Sequence, residues 1–192
     1  NSSAGVSILS GASNNAIGGS LASERNVISG NFYGVLVDGV SASGNTVQGN
    51  YIGVDVSGTS GIANNISGVY ITDAKQTDVI DNVTSGNALH GIVIRSGSTD
   101  TVVQGNFIGT DSTGNIALVN QDGIGIQSGA TNNTIGGTLA SERNIILGNT
   151  GDGVQIQGLA TIGNTIRRNY IGTDSTGALD LGNTSYGIWI NN

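Results

Sequence analysis

The sequence predicts an all-β solenoid, a chain wound so that short strands stack on one another in parallel. The segment from Asn14 to Ile71 returns at Asn132 to Ile190, displaced by 118 to 119 residues, and chains built of equivalent units usually stack them. A shorter mark lies beneath that repeat: glycine, an apolar residue, any residue, then a second apolar residue. Composition agrees, because Gly supplies 33 of 192 residues, as expected where every coil needs corners with positive φ.

The marks begin at Gly5, Gly34, Gly68, Gly91, Gly123, Gly153 and Gly187, at intervals of 29, 34, 23, 32, 30 and 34 residues. The third unit is therefore the shortest. Between marks come two further β-like runs, such as Asn45-Thr46-Val47 and then Asn50-Tyr51-Ile52. None is long enough for a helix, and three short strands cannot bury a face alone. Stacking at about 4.8 Å per coil solves this, giving six coils and a terminal strand in a rod about 30 Å long. The pairs Val6/Ile8, Val35/Val37, Val69/Ile71, Ile92/Ile94, Ile124/Ile126, Val154/Ile156 and Ile188/Ile190 should point inward. The residues between them, Ser7, Leu36, Tyr70, Val93, Gly125, Gln155 and Trp189, should face out.

Asparagine at the corners predicts ladders, each amide bonding to the coils above and below. One column is Asn26, Asn50, Asn82, Asn106, Asn144 and Asn169; a second is Asn31, Asn87 and Asn149. The repeat spans residues 1–192 without a linker, so one domain is expected. The chain does not start with Met, which suggests a piece of a larger protein.

Two kinds of insertion interrupt the coils on an alternating schedule. The first, Ser20 to Arg25 and Thr138 to Arg143, reads as one helical turn with Ser23 or Ser141 as N-cap and a local tether between arginine and a carboxylate. The second follows an aromatic strand and contains Gly53 to Gly58, Gly109 to Gly114 and Gly172 to Gly177. It falls on every even coil, about 10 Å apart. Asp55, Asp111 and Asp174 in these loops admit two readings. A carboxylate followed by a hydroxyl and turn carbonyls suits calcium; the same pattern makes an Asx-turn closed on its own backbone. Tyr51, Phe107 and Tyr170 should point outward beside these loops. Ile62, then Ile116 with Leu118, then Leu179 with Leu181 are expected to fold back over them, each covered aromatic contributing about 1.5–3 kcal/mol. The alternative is an aromatic stripe, with Tyr70 and Trp189, that stacks on sugar rings or forms an interface.

Composition excludes several classes. The chain has no cysteine, hence no disulfide framework and no thiolate site,. No apolar run approaches the roughly 18 residues that cross a bilayer, and no signal peptide is visible. A net charge of −7 with six basic residues argues against a phosphate backbone as partner. His90, the sole histidine, precedes its mark where other coils carry Ser67, Asp122 or Tyr186, and reads as a coil variant.

The GVxI, NTVxGN and NYIGTDxTG elements, with GGTxxxERN between them, resemble right-handed parallel β-helix repeats of large secreted or surface proteins of bacteria, including cyanobacteria. The resemblance covers essentially the whole chain and belongs to the pectate-lyase-like superfold, which hosts both pectin-type enzymes and non-catalytic stalks. It implies the handedness, in keeping with the general rule for parallel connections, and an extracellular or cell-surface setting beside adhesive or calcium-binding modules. The polygalacturonase-like pattern of adjacent aspartates, Gly-His-Gly and a basic triplet is not matched; Leu89-His90-Gly91 fits only part. For the carboxylate cluster with calcium and the basic residue that a pectate-lyase-like resemblance implies, the best constellation is Asp73, Asp78, Asp81 and Asp100 with Lys75 and Arg95. The expected function is a non-enzymatic structural or adhesive module, without catalytic residues. The alternative is a carbohydrate-binding or polysaccharide-lyase-like β-helix. Expected partners are a second copy stacked end to end, flanking domains of the parent chain, or an extracellular polysaccharide. Neither nucleic acid nor membrane insertion is expected. The end strands, lacking a helix or charged cap, predict either further coils or stacking between molecules.

Overall fold

The computed structural model describes residues 1–191. Among these residues the strands form three parallel sheets of seven, six and six strands, each strand pairing with its counterparts one coil before and one coil after. The first sheet comprises Val6–Leu9, Tyr33–Asp38, Ser67–Thr72, His90–Arg95, Asp122–Gln127, Val154–Gln157 and Ile188–Asn191. The second runs from Ala16–Gly18 to Thr165–Arg167, and the third from Val27–Ile28 to Tyr170–Ile171. This is a right-handed parallel β-helix of six coils and one further strand,.

Register holds from one end to the other. Val35, Val69, Ile92, Ile124, Val154 and Ile188 follow one another in register, so the inward pairs stack on like side chains; Ile188 and Ile190, expected to be buried, are exposed because no further strand covers them among the described residues. The second sheet adds Val47, Val79, Val103 and Ile135, and the third adds Ile52, Ile108 and Ile146. All are fully buried, in one continuous core. Each such side chain contributes about 1.5–3 kcal/mol, which short strands could not gain singly.

The glycine of each mark except Gly187 is a packing requirement. A Cβ on Gly68 would stand 2.7 Å from the carbonyl oxygen of Gly91, and one on Gly91 would stand 2.7 Å from that of Gly123. The glycines stack backbone against backbone, and a larger residue would push the coils apart.

The asparagine columns are longer than expected. The first is as predicted: Asn50 Nδ2 donates to Asn82 Oδ1 at 3.1 Å, Asn82 to Asn106 at 3.1 Å, and Asn106 to Asn144 at 2.9 Å. The second occupies every coil, running Asn31, Asn64, Asn87, Asn120, Asn149 and Asn183. Asn64, Asn120 and Asn183 follow the even-coil loops, whose length shifts them away from the position their odd-coil partners hold. A third column, at the corner entering the second sheet, joins Asn15 to Asn45 and Asn133 to Asn164. Thr77 and Thr101 interrupt it, and their buried hydroxyls have no hydrogen-bond partner.

Two further departures fall in the middle coils. Thr84 sits in the inward column of the third sheet between Ile52 and Ile108, also with an unpartnered buried hydroxyl. Val93, expected to face solvent, is only 2 % exposed, because the outer face of the first sheet is itself crowded there.

Candidate functional site

The even-coil loops are built around their carboxylates. Asp111 Oδ1 accepts the backbone N–H groups of Asn115 and Ile116, both at 3.1 Å, and the Thr113 hydroxyl reaches its two oxygens at 2.9 and 2.8 Å. Asp174 makes the same set with Ala178, Leu179 and Thr176. In the shallower first loop Asp55 takes the Ser57 hydroxyl and the amides of Thr59 and Ser60. These donors favour the charged form. The Leu179 amide and Thr176 hydroxyl hold Asp174 below the usual carboxylate range. For Asp111, burial pushes up, but the Thr113 hydroxyl and the loop amides outweigh it, and the net direction is down. Among the described residues, no three His, Cys, Asp or Glu side chains lie close enough to share a metal ion.

Loops on alternate coils do not stand apart. The Ser112 N–H donates to the Gly58 carbonyl, and the Ser175 N–H to the Gly114 carbonyl, each at 2.9 Å. The three loops thus touch across the intervening odd coils and make one wall, where the strand spacing alone had predicted a gap.

Tyr51, Phe107 and Tyr170 lie beneath this wall. Of the apolar side chains expected to cover them, Ile62, Ile116 and Leu179 are 47 %, 61 % and 60 % exposed, whereas Leu118 and Leu181 are half-buried. The loop's own glycine lies on each ring, since a Cβ on Gly58, Gly114 or Gly177 would stand 2.8, 2.6 or 3.0 Å from the ring below. A second cover comes from the first kind of insertion. The Arg25 guanidinium lies 4.0 Å from the Tyr51 ring centre, and that of Arg143 lies 3.8 Å from the Tyr170 ring.

The single 3-10 turns Ala22–Glu24 and Ala140–Glu142 place these arginines. Their N-caps are Leu21 and Leu139 rather than Ser23 and Ser141. The cap function falls to the glutamates: Glu24 accepts the Leu21 N–H at 2.9 Å, and Glu142 accepts those of Leu139 and Thr138 at 2.8 and 2.6 Å. With Glu142 so engaged, Arg143 donates Nε to the Arg168 carbonyl at 3.2 Å and stacks on tyrosine instead of forming the predicted carboxylate tether.

The postulated acidic constellation does not converge. Asp78 points outward from the second sheet beside Thr46 and Val102, while Asp73, Asp81 and Asp100 occupy turn positions with φ of 54°, 55° and 58°. Burial pushes the Asp78 carboxyl up. A recess of about 540 Å³ at the first coil is lined by Val6, Ile17 and Ile28 together with Asn1, Asn26 and Asn31, and by no acidic or basic side chain.

The chemistry that does gather lies on the outer face of the first sheet. Ser67, His90 and Asp122 occupy one register position on three consecutive strands. His90 Nδ1 stands 3.3 Å from Asp122 Oδ2, and Asp122 Oδ1 accepts the Asp152 N–H at 2.8 Å. The His90 contact and that amide hold the Asp122 carboxyl low against the opposing effect of burial. The Ser67 hydroxyl is fully buried without a partner, so it packs as a small residue and is not presented to a substrate.

Next to this column lies an aromatic group. The Tyr33 and Tyr70 ring centres are 4.7 Å apart with planes inclined at 44°, and Phe32 meets Tyr33 edge-on at 5.0 Å. Arg95 Nη1 donates to the Tyr70 hydroxyl at 3.0 Å. Tyr70 was a sequence candidate; Phe32 and Tyr33 were not, because only the register brings coil 2 beside it. Trp189, on the last described strand, pairs in register with Gln155 and is half-buried. No family model, curated protein or solved structure matches the chain.

Proposed function

We propose that the chain is a non-enzymatic structural and adhesive module of a secreted or cell-surface protein, related to the bacterial β-helix repeats that its motifs resemble. One observation carries this reading: side-chain columns and the loop wall tie consecutive coils together outside the core as well as within it. Load applied along the rod is shared among many parallel hydrogen bonds. Force spectroscopy of the chain between two known handle domains tests this, with a high-force rupture expected. Rupture at the force of an ordinary helical domain would refute the load-bearing role. Release of unsaturated product from polygalacturonate or alginate would refute the non-enzymatic one.

Glycan binding is the second reading, favoured by the open aromatic group of Phe32, Tyr33 and Tyr70. It requires saturable binding on a polysaccharide panel that is lost in Tyr70→Ala and kept in Tyr51→Ala, whose ring lies under Gly58 and Arg25.

A further inference from the structure

We infer that Tyr33 and Tyr70 form an oxidative cross-linking site, in which a peroxidase-type oxidant couples the two rings into a dityrosine that staples coil 2 to coil 3. The inference rests on ring geometry and on the junction that the rings span, and it is independent of the adhesive reading.

The geometry is specific to this pair. The chain has five tyrosines. Tyr51 and Tyr170 each lie under a loop glycine and an arginine, and Tyr186 is exposed on the last coil. Among the described residues only Tyr33 and Tyr70 form a tyrosine pair, with ring centres 4.7 Å apart. Their backbones are not directly opposite, since Tyr33 aligns with Ser67 and Tyr70 with Leu36. The rings therefore lean toward each other across the outer face. Both are half-buried, which leaves them accessible to a small oxidant while restricting their motion. Phe32 steadies one ring at its edge and Arg95 holds the other by its hydroxyl. Proximity of this kind converts an encounter between two radicals into an intramolecular step.

The reaction balances with hydrogen peroxide as the oxidant. Each phenol gives up one electron and its hydroxyl proton, leaving a phenoxyl radical. The radicals combine by a carbon–carbon bond between positions ortho to the two oxygens. The two ring hydrogens at those positions then move to the oxygens as protons and restore both phenols. The protein loses two hydrogen atoms in all, and these two electrons and two protons reduce one hydrogen peroxide to two waters.

The junction gives the bond a purpose. Between coils 2 and 3 the third asparagine column breaks at Thr77, and coil 3 also holds the unpartnered hydroxyls of Ser67, Thr77 and Thr84. Buried polar groups without partners destabilise, so coil 3 is a weak point of the stack and a tie from coil 2 offsets part of that loss. A covalent link between residues 33 and 70 closes a loop that spans that interface, and cross-links of this span stabilise chiefly by constraining the unfolded chain.

The test is to treat the purified chain with hydrogen peroxide and a haem peroxidase. Expected results are dityrosine fluorescence, an intact mass lower by two hydrogens, a monomer on a denaturing gel, and a linked peptide pair containing Tyr33 and Tyr70. The melting temperature should rise by about 5–10 °C. Tyr33→Phe and Tyr70→Phe should each abolish the product; an unchanged melting temperature of Tyr33→Phe before oxidation verifies that the ring packing is kept, since only Tyr70→Phe also gives up the Arg95 hydrogen bond, and Tyr51→Phe should retain the product. Coupling that is mainly between molecules, that maps to another pair, or that persists in Tyr33→Phe overturns the inference. So does a wild-type chain that yields no coupled product.

Discussion

Asn106 Nδ2 donates to Asn144 Oδ1 at 2.9 Å while its own Oδ1 accepts from Asn82 at 3.1 Å, so one amide holds three coils. Asn106→Ala therefore orphans groups on both neighbours, at about 1–3 kcal/mol for each buried group left unpaired. Denaturant unfolding should show a loss of at least about 3 kcal/mol. Asn169→Ala, at the end of the column with a partner on one side only, should lose clearly less. Equal losses would mean that the ladder is not cooperative.

Thr84 interrupts an isoleucine column and carries a hydroxyl with no partner. Thr84→Val removes the hydroxyl at nearly constant volume and should stabilise by about 1 kcal/mol. A loss in thermal melting would mean that the hydroxyl has a partner, such as a bound water.

Gly114 has φ +76° and its missing Cβ would meet the Phe107 ring at 2.6 Å; Gly129 has φ +82° with nothing within 4 Å. Alanine at either carries the backbone cost of a left-handed conformation, about 1–2 kcal/mol. Only Gly114→Ala also displaces the loop from its ring. The difference between the two variants measures that contact, and Gly114→Ala should be the worse by about 1 kcal/mol or more.

Acid should destabilise the rod. Asp55, Asp111, Asp122, Glu142 and Asp174 all have folded-state pKa values below their ordinary ones. The stability they contribute is present above the unfolded carboxylate range of about pH 4 and is lost as pH falls through the folded values. Asp78 runs the other way, since burial raises it. Melting temperature should be flat above about pH 5 and fall below pH 4. Asp78→Asn should melt slightly higher than the parent at neutral pH, and a lower value would refute the burial argument.

Calcium has a sharp test at Asp111. Both carboxylate oxygens already receive the Thr113 hydroxyl, and one of them receives two amides as well. A cation would have to displace donors that the loop needs for its own closure. Melting curves with calcium and with chelator should coincide. A calcium-dependent rise that vanishes in Asp111→Ala would reverse this conclusion.

The coil count, the inward pairs and the first asparagine column were legible in the sequence because each depends only on strand period and coil spacing. The second column was half legible: Asn31, Asn87 and Asn149 follow loop-free corners, whereas Asn64, Asn120 and Asn183 are hidden behind insertions that disturb the spacing. The partial burial of Phe107 was foreseen, but not the part of Gly114 in it. Hydrophobicity pointed to Ile116 with Leu118, and a backbone glycine lying flat on a ring carries no apolar signal in the sequence. The pairing of Tyr33 with Tyr70 has no periodic signature, since it depends on how two rings lean after the register has been set.

The loop wall restricts how such a chain can lengthen. Gly58 meets Ser112 and Gly114 meets Ser175 only because two coils separate successive loops. Duplicating one coil would place neighbouring loops at the wrong height and leave their backbone groups unmatched. Gene duplication in steps of two coils would preserve every contact, and the present repeat of 118 to 119 residues, four coils, is such a step. The wall acts as a parity check on growth, one that the core, indifferent to odd or even, does not impose.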